Sequence, residues 1–170
     1  MIKNISSGKA VMDKIKEGVD LVANPVKSTI SPNGRTVIIS ESYVSDYDTR
    51  NRPILVSKDG YKVSTKISSN DPDIQVGVLF AQQAAEKQMI DAGDATSTCT
   101  LFVQSFLESG LELIESGKSH VAVKELINDG VESVVNQLKK MAIPVNGDVE
   151  IIKKIATVSA NNDSEIGDLI

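Results

Sequence analysis

The residues best suited to chemistry are a carboxylate and three hydroxyls in one short segment, Gly93-Asp94-Ala95-Thr96-Ser97-Thr98, at a position where a helix is predicted to start. The first backbone N–H groups of a helix have no partner within it and point outward. They can take up a phosphate, and the hydroxyls add donors to the same ligand. Asp94 suits Mg²⁺, a hard cation that prefers carboxylate and phosphate oxygens. A plainer role competes, because Asp, Thr and Ser at helix starts serve most often as N-caps. Two further segments, Lys58-Asp59-Gly60 and Ser31-Pro32-Asn33-Gly34, read singly as turns. The lone cysteine, Cys99, falls inside a helix and reads as a core thiol rather than a nucleophile. The single histidine, His120, sits in the first turn of a helix with no partner motif and reads as a surface residue.

The elements that must position these residues are mostly helical. Between Ser7 and Lys27 the apolar residues Val11, Ile15, Val19, Val22 and Val26 keep the alternating spacing of one helix face, and Pro25 is expected to kink or shorten the last turn. Thr36 to Ser40 and Ile54 to Ser57 are short β-branched runs around the polar stretch Glu41 to Arg52, which suggests a hairpin with an exposed tip. Tyr61 to Ile67 alternates weakly and is expected to add a third strand, making a small β-meander. Asp71-Pro72 opens a second long helix that carries Ile74, Val78, Ala81, Ala85 and Met89 on one face and breaks at Ala92-Gly93. A third helix runs through Leu101 to Ile114 and stops at Gly117. A fourth, Ser119 to Met141, is expected to bury Val123, Ile127, Val131, Val134, Leu138 and Met141. After Pro144 and Gly147 come Val149 to Ala156 and a last helix that starts at Ser164 behind Asn161-Asn162-Asp163. That last element is expected to continue beyond Ile170.

Composition narrows the partners. The chain has 170 residues and a net charge of −5, with 41% apolar and 24% charged residues. A chain of this length can bury roughly two-thirds of its unfolded surface, enough for a core. No basic run exceeds Lys139-Lys140, which argues against nucleic acid and anionic membranes as partners. No stretch approaches the roughly 20 apolar residues of a membrane span, and one cysteine suits a reducing compartment, so a cytoplasmic location is expected. Neither the methionines, at core spacing, nor the absence of Trp suggests a cofactor box.

In this order and separation the motifs resemble those of the group I chaperonins, the bacterial GroEL-like family. The family's Thr-Leu-Gly-Pro-Lys-Gly-Arg-Asn-Val segment is matched by Thr29-Ile30-Ser31-Pro32-Asn33-Gly34-Arg35-Thr36-Val37. Its Thr-Lys-Asp-Gly turn is matched by Ser57-Lys58-Asp59-Gly60. Gly93-Asp94-Ala95-Thr96-Ser97-Thr98 stands for its Gly-Asp-Gly-Thr-Thr-Thr signature, and Thr157-Val158-Ser159-Ala160-Asn161 for its Thr-Ile-Ser-Ala-Asn segment. The chain departs from the family at Ser31 and Ala95, which stand where it has glycine, at Pro25, and in a longer 41–52 loop at the hairpin that contacts a neighbouring subunit. It reads as a divergent copy.

The resemblance implies a mainly α fold with a small β-meander, residues 1–141 being the first half of an equatorial domain and 142–170 the start of an intermediate domain. The apical domain and the second equatorial half would lie outside this chain. It implies an ATP-dependent protein-folding subunit of a ring. Thr29, Ile30, Ser31 and Pro32 would line the nucleotide with Lys58 nearby, and Asp94, Ala95, Thr96, Ser97 and Thr98 would hold phosphates, with Asp94 on Mg²⁺. Asp59 would orient the attacking water, and Val158, Ser159 and Asn161 would close the base side. ATP and Mg²⁺ are the expected cofactors, with K⁺ used in the family. Identical subunits, unfolded client proteins and a co-chaperonin are the partners it admits. The alternative is a truncated, non-catalytic piece that acts only in subunit interaction.

Overall fold

The computed structural model describes residues 5–31, 33–40, 54–160 and 163–169. Their order is α1 (Lys9–Thr29), β1 (Val37–Ser40), β2 (Ile54–Ser57), α2 (Gly60–Thr65), α3 (Pro72–Ala92), α4 (Thr96–Glu115), α5 (His120–Met141), α6 (Val149–Ser159) and α7 (Ser164–Gly167). They form two compact units, divided after Val123 within α5. No helix among the described residues is long and apolar enough to cross a membrane.

In the first unit α1 buries Val19, Val22 and Val26, the later part of its predicted stripe, and Ala23 beside them. The last turn is not shortened at Pro25, since the helix continues to Thr29. The proline lacks an N–H for the Leu21 carbonyl, but Leu21 is exposed, so water can take that acceptor. Strands β1 and β2 pair antiparallel, with Val37 opposite Ser57 and Ser40 opposite Ile54. Val37 and Ile39 pack against a core of Val22, Val26, Val63, Val78 and Ala81. The expected hairpin tip, residues 41–52, lies outside the described residues.

The third strand of the expected meander is a helix. Asp59 caps α2, its Oδ1 accepting from the N–H groups of Tyr61 at 2.9 Å and Lys62 at 3.2 Å. A single turn of helix buries Val63 and Ser64 side by side, which an alternating strand would place on opposite faces. Gln82 of α3 then donates to the carbonyls of Ser64 and Ile67, at 2.7 and 2.9 Å, and ties the end of the short helix to α3.

Helix α3 starts as predicted, with Asp71 Oδ1 accepting from the N–H groups of Asp73 and Ile74 and Pro72 at the first helical position. Lys14 of α1 donates to Asp71 Oδ2 at 2.7 Å and holds that carboxyl below the usual carboxylate range. Nearby α1 and α3 cross at two glycines. A Cβ on Gly18 would overlap the Ile74 carbonyl, and one on Gly77 would overlap the Ile15 carbonyl and stand 3.0 Å from Gly18 Cα. Gln104 of α4 donates to Asp20 Oδ1 at 2.6 Å, tying α4 to α1.

In the second unit Asp148 caps α6 and Asp163 caps α7. Gly167 lies so close to Thr157 that a Cβ would overlap its hydroxyl, and Lys153 pairs with Asp168. Helix α5 starts one residue later than predicted, at His120, and its expected burial fails after Ile127. Val123 is buried and Ile127 half-buried. Val131, Val134, Leu138 and Met141 are exposed, the last three at 55%, 58% and 66%. Periodicity marks a face that prefers cover without supplying the cover.

Candidate functional site

Three of the sequence motifs meet within the first unit, and Gly60 is where they meet. This residue is buried at the start of α2. A Cβ there would overlap the hydroxyl of Ser97, in the first turn of α4, and stand 3.2 Å from Thr29 Oγ1, in the last turn of α1. The absence of a side chain at residue 60 thus lets two hydroxyls from different helices close on the turn that carries Lys58 and Asp59. The sequence held one sign of this, a glycine directly after a capping aspartate.

Each wall has its own local cause. Thr29 donates its hydroxyl to the Val26 carbonyl at 2.7 Å, and Ile30 leaves the helix in an extended conformation. Ser31 follows at φ 90°. The turn closes by hydrogen bonds from Gly34 N to Ser31 O (2.8 Å) and from Arg35 N to Ser28 O (2.7 Å). Gly34 presses on the Thr29 carbonyl so closely that a Cβ would overlap it. Pro32 lies outside the described residues. Lys58 and Asp59 are exposed, and the Asp59 backbone N–H donates to Ser57 Oγ at 3.0 Å.

The α4 end departs from the ordinary N-cap. Its cap residue is Ala95, in the left-handed conformation at φ 62°, and no side chain caps the helix. Asp94 Oδ1 accepts instead from the adjacent Ala95 N–H at 2.6 Å. The first N–H groups of α4 are therefore left for another acceptor, beside the hydroxyls of Thr96, Ser97 and Thr98. Ser31 and Ala95, which stand where the family resembled in sequence has glycine, both have positive φ, a conformation that glycine adopts at little cost.

The remaining sequence candidates differ in their surroundings. Val158 and Ser159 end α6 in the second unit, Val158 exposed, and Asn161 lies outside the described residues. Cys99 is half-buried with Sγ 3.5 Å from the Ala84 carbonyl, and burial pushes its thiol pKa up, which suits a core thiol. His120 is exposed at the start of α5. With Val11, Met12, Leu111 and Ile114 it lines a cavity of about 530 Å³ at the beginning of α1. The motifs gather at the other end of that 21-residue helix, about 30 Å away at 1.5 Å per residue.

The model of the TCP-1/cpn60 chaperonin family matches residues 22–170. The chain belongs to that family. Among solved structures it is similar to the chaperonin gp146 of bacteriophage EL of Pseudomonas aeruginosa, at 28% identity and a TM-score of 0.73 over 95% of this chain and 27% of that one. That chaperonin was crystallised in the presence of ATP-BeFx. A group III chaperonin in the open state matches with a TM-score of 0.74 at 17% identity, over 94% of this chain and 30% of that one, and shares the fold. The chain therefore spans under a third of the length of these chaperonins. Its mainly helical architecture with a two-stranded sheet is the chaperonin equatorial fold.

The donor set around Gly60 fits a nucleotide with its metal. No cluster of three or more His, Cys, Asp or Glu side chains exists among the described residues, so a metal cage supplied wholly by such groups is not built there. Mg²⁺ needs less, since it is held by one or two carboxylates together with substrate phosphates. Asp94 is one such carboxylate, and the uncapped start of α4 next to it presents free N–H donors, the two kinds of group that such a ligand takes.

Proposed function

We propose that the chain is the amino-terminal part of a group I-type chaperonin subunit that hydrolyses ATP and, in its full-length form, assembles with identical subunits into a ring that folds client proteins in a cytoplasm. Residues 1–141 would form the first half of the equatorial domain and 142–170 the start of the intermediate domain. The observation that carries this reading is the convergence of Thr29, Gly60 and Ser97 beside the uncapped start of α4. The four motifs in family order and the likeness to a chaperonin crystallised with ATP-BeFx support it.

In this reading the N–H groups and hydroxyls of Thr96, Ser97 and Thr98 hold phosphates, with Ala95 setting the entry of the chain. Thr29, Ile30, Ser31 and Pro32 form the opposite wall with Lys58 nearby, and Val158, Ser159 and Asn161 close the base side. Asp94 is the metal ligand, and Mg²⁺ there would neutralise charge on the phosphate oxygens. Asp59 orients the attacking water. One oxygen caps α2, and a carboxylate has about four acceptor positions, so capping does not exhaust it. K⁺ and a co-chaperonin belong to the same proposal.

Asp94→Ala in the full-length protein tests it. Metal-dependent nucleotide binding and single-turnover hydrolysis should be lost together. Hydrolysis at the normal rate would remove Asp94 from the site, and a full-length protein that binds no nucleotide would favour a purely structural role in subunit interaction.

A further inference from the structure

Asp94 lies between two left-handed residues, Gly93 at φ 71° and Ala95 at φ 62°, and its side chain is exposed. The carboxylate is held by the Ala95 N–H, 2.6 Å from Oδ1. That N–H and the Asp94 carbonyl are the two ends of one planar peptide unit, so whatever fixes the carbonyl also fixes the direction of the N–H. The carbonyl accepts from Gln88 Nε2 at 2.9 Å. Gln88 belongs to α3 and is half-buried in its penultimate turn, on a helix anchored by Val78, Ala81 and Ala85 in the core.

We infer that Gln88 is a positioning residue for the Asp94 carboxylate: by holding the Asp94–Ala95 peptide in one orientation from a rigid helix, it presets the carboxylate for a divalent cation brought with the nucleotide. The inference rests on the proposal that Asp94 is the metal ligand. A tether matters at this place because residue 95 carries a Cβ in a left-handed conformation, which costs about 1–3 kcal/mol and persists only where the surroundings over-determine it. Rotating the peptide would relieve Ala95 and turn its N–H away from the carboxylate, and the Gln88 bond opposes that rotation.

Gln88→Met keeps the length and helix propensity of the side chain and removes the donor without adding charge. Gln88→Ala removes the donor and the stem. In the full-length protein, Mg²⁺ is titrated against ATP binding for wild type, both variants and Asp94→Ala, and affinity without metal is measured alongside. Both Gln88 variants should raise the half-saturating Mg²⁺ concentration by about three- to tenfold, the effect of one net hydrogen bond, with metal-free affinity unchanged. A general loosening of the fold would weaken both measurements together, and that result overturns the inference. So does an unchanged Mg²⁺ dependence in Gln88→Met, even if Gln88→Ala shifts, since the stem and not the donor would then be responsible. If Asp94→Ala itself keeps a normal Mg²⁺ dependence, the metal-ligand assignment fails, and the role of Gln88 with it.

Discussion

Asp59 and Asp94 occupy turns of similar composition and do different local work. Asp59 caps α2 through Oδ1, whereas Asp94 leaves the start of α4 uncapped, its carboxylate accepting from the neighbouring Ala95 N–H. Asn caps a helix about as well as Asp. Asp59→Asn should therefore preserve the fold and nucleotide affinity of the full-length protein while slowing single-turnover hydrolysis, by the ~10²–10⁴-fold typical of a group that handles a proton in the transition state. Asp59→Ala should show the same slowing together with a loss of about 1 kcal/mol of stability from the missing cap. A normal turnover rate in Asp59→Asn would leave Asp59 a cap and nothing more. The types of these residues were legible in the sequence, but their division of labour was not. It depends on Ala95 adopting positive φ, which a residue with a Cβ does not announce. Gln88 left no signal at all, because a glutamine near the end of an amphipathic helix looks like any solvated side chain.

At the scale of elements, the sequence was most legible where an apolar stripe and a cap agreed. Both marked α3, with Asp71 and Pro72 at its start and Val78, Ala81 and Ala85 buried along it. The failure at Tyr61–Ile67 has a physical cause: so short a run gives too little periodicity to separate a strand from the six residues of α2, and the cap at Asp59 decided. The crossing of α1 and α3 was also hidden, since it depends on two glycines far apart in sequence. Gly77→Ala should destabilise the fold by about 1–3 kcal/mol, because the new methyl meets backbone at Ile15 and Gly18 rather than a movable side chain. Gly130→Ala is the contrasting case. On α5 it meets nothing within 4 Å and should gain up to about 1 kcal/mol of helix propensity. Thermal or denaturant unfolding of the two variants should shift in opposite directions, and equal shifts would mean that α1 and α3 do not cross at these glycines.

For the whole molecule, the question is what α5 does with its apolar face. Val134, Leu138 and Met141 repeat at helical spacing and are more than half exposed, with Val131 and Val135 beside them at 41% and 40%. Contiguous exposed apolar surface beyond a few hundred Å² promotes association. The 170-residue chain on its own should therefore self-associate as its concentration rises, and light scattering coupled to size exclusion measures this directly. Replacing Val134 and Leu138 with Gln should suppress the association. The stability of the chain should barely change, since side chains already in contact with water lose little burial on substitution. A wild-type chain that stays monomeric across the concentration series would show that the face is tolerated bare. If instead the double variant unfolds, these two side chains support α5 itself, and the exposed stripe is a structural element rather than a surface that seeks cover.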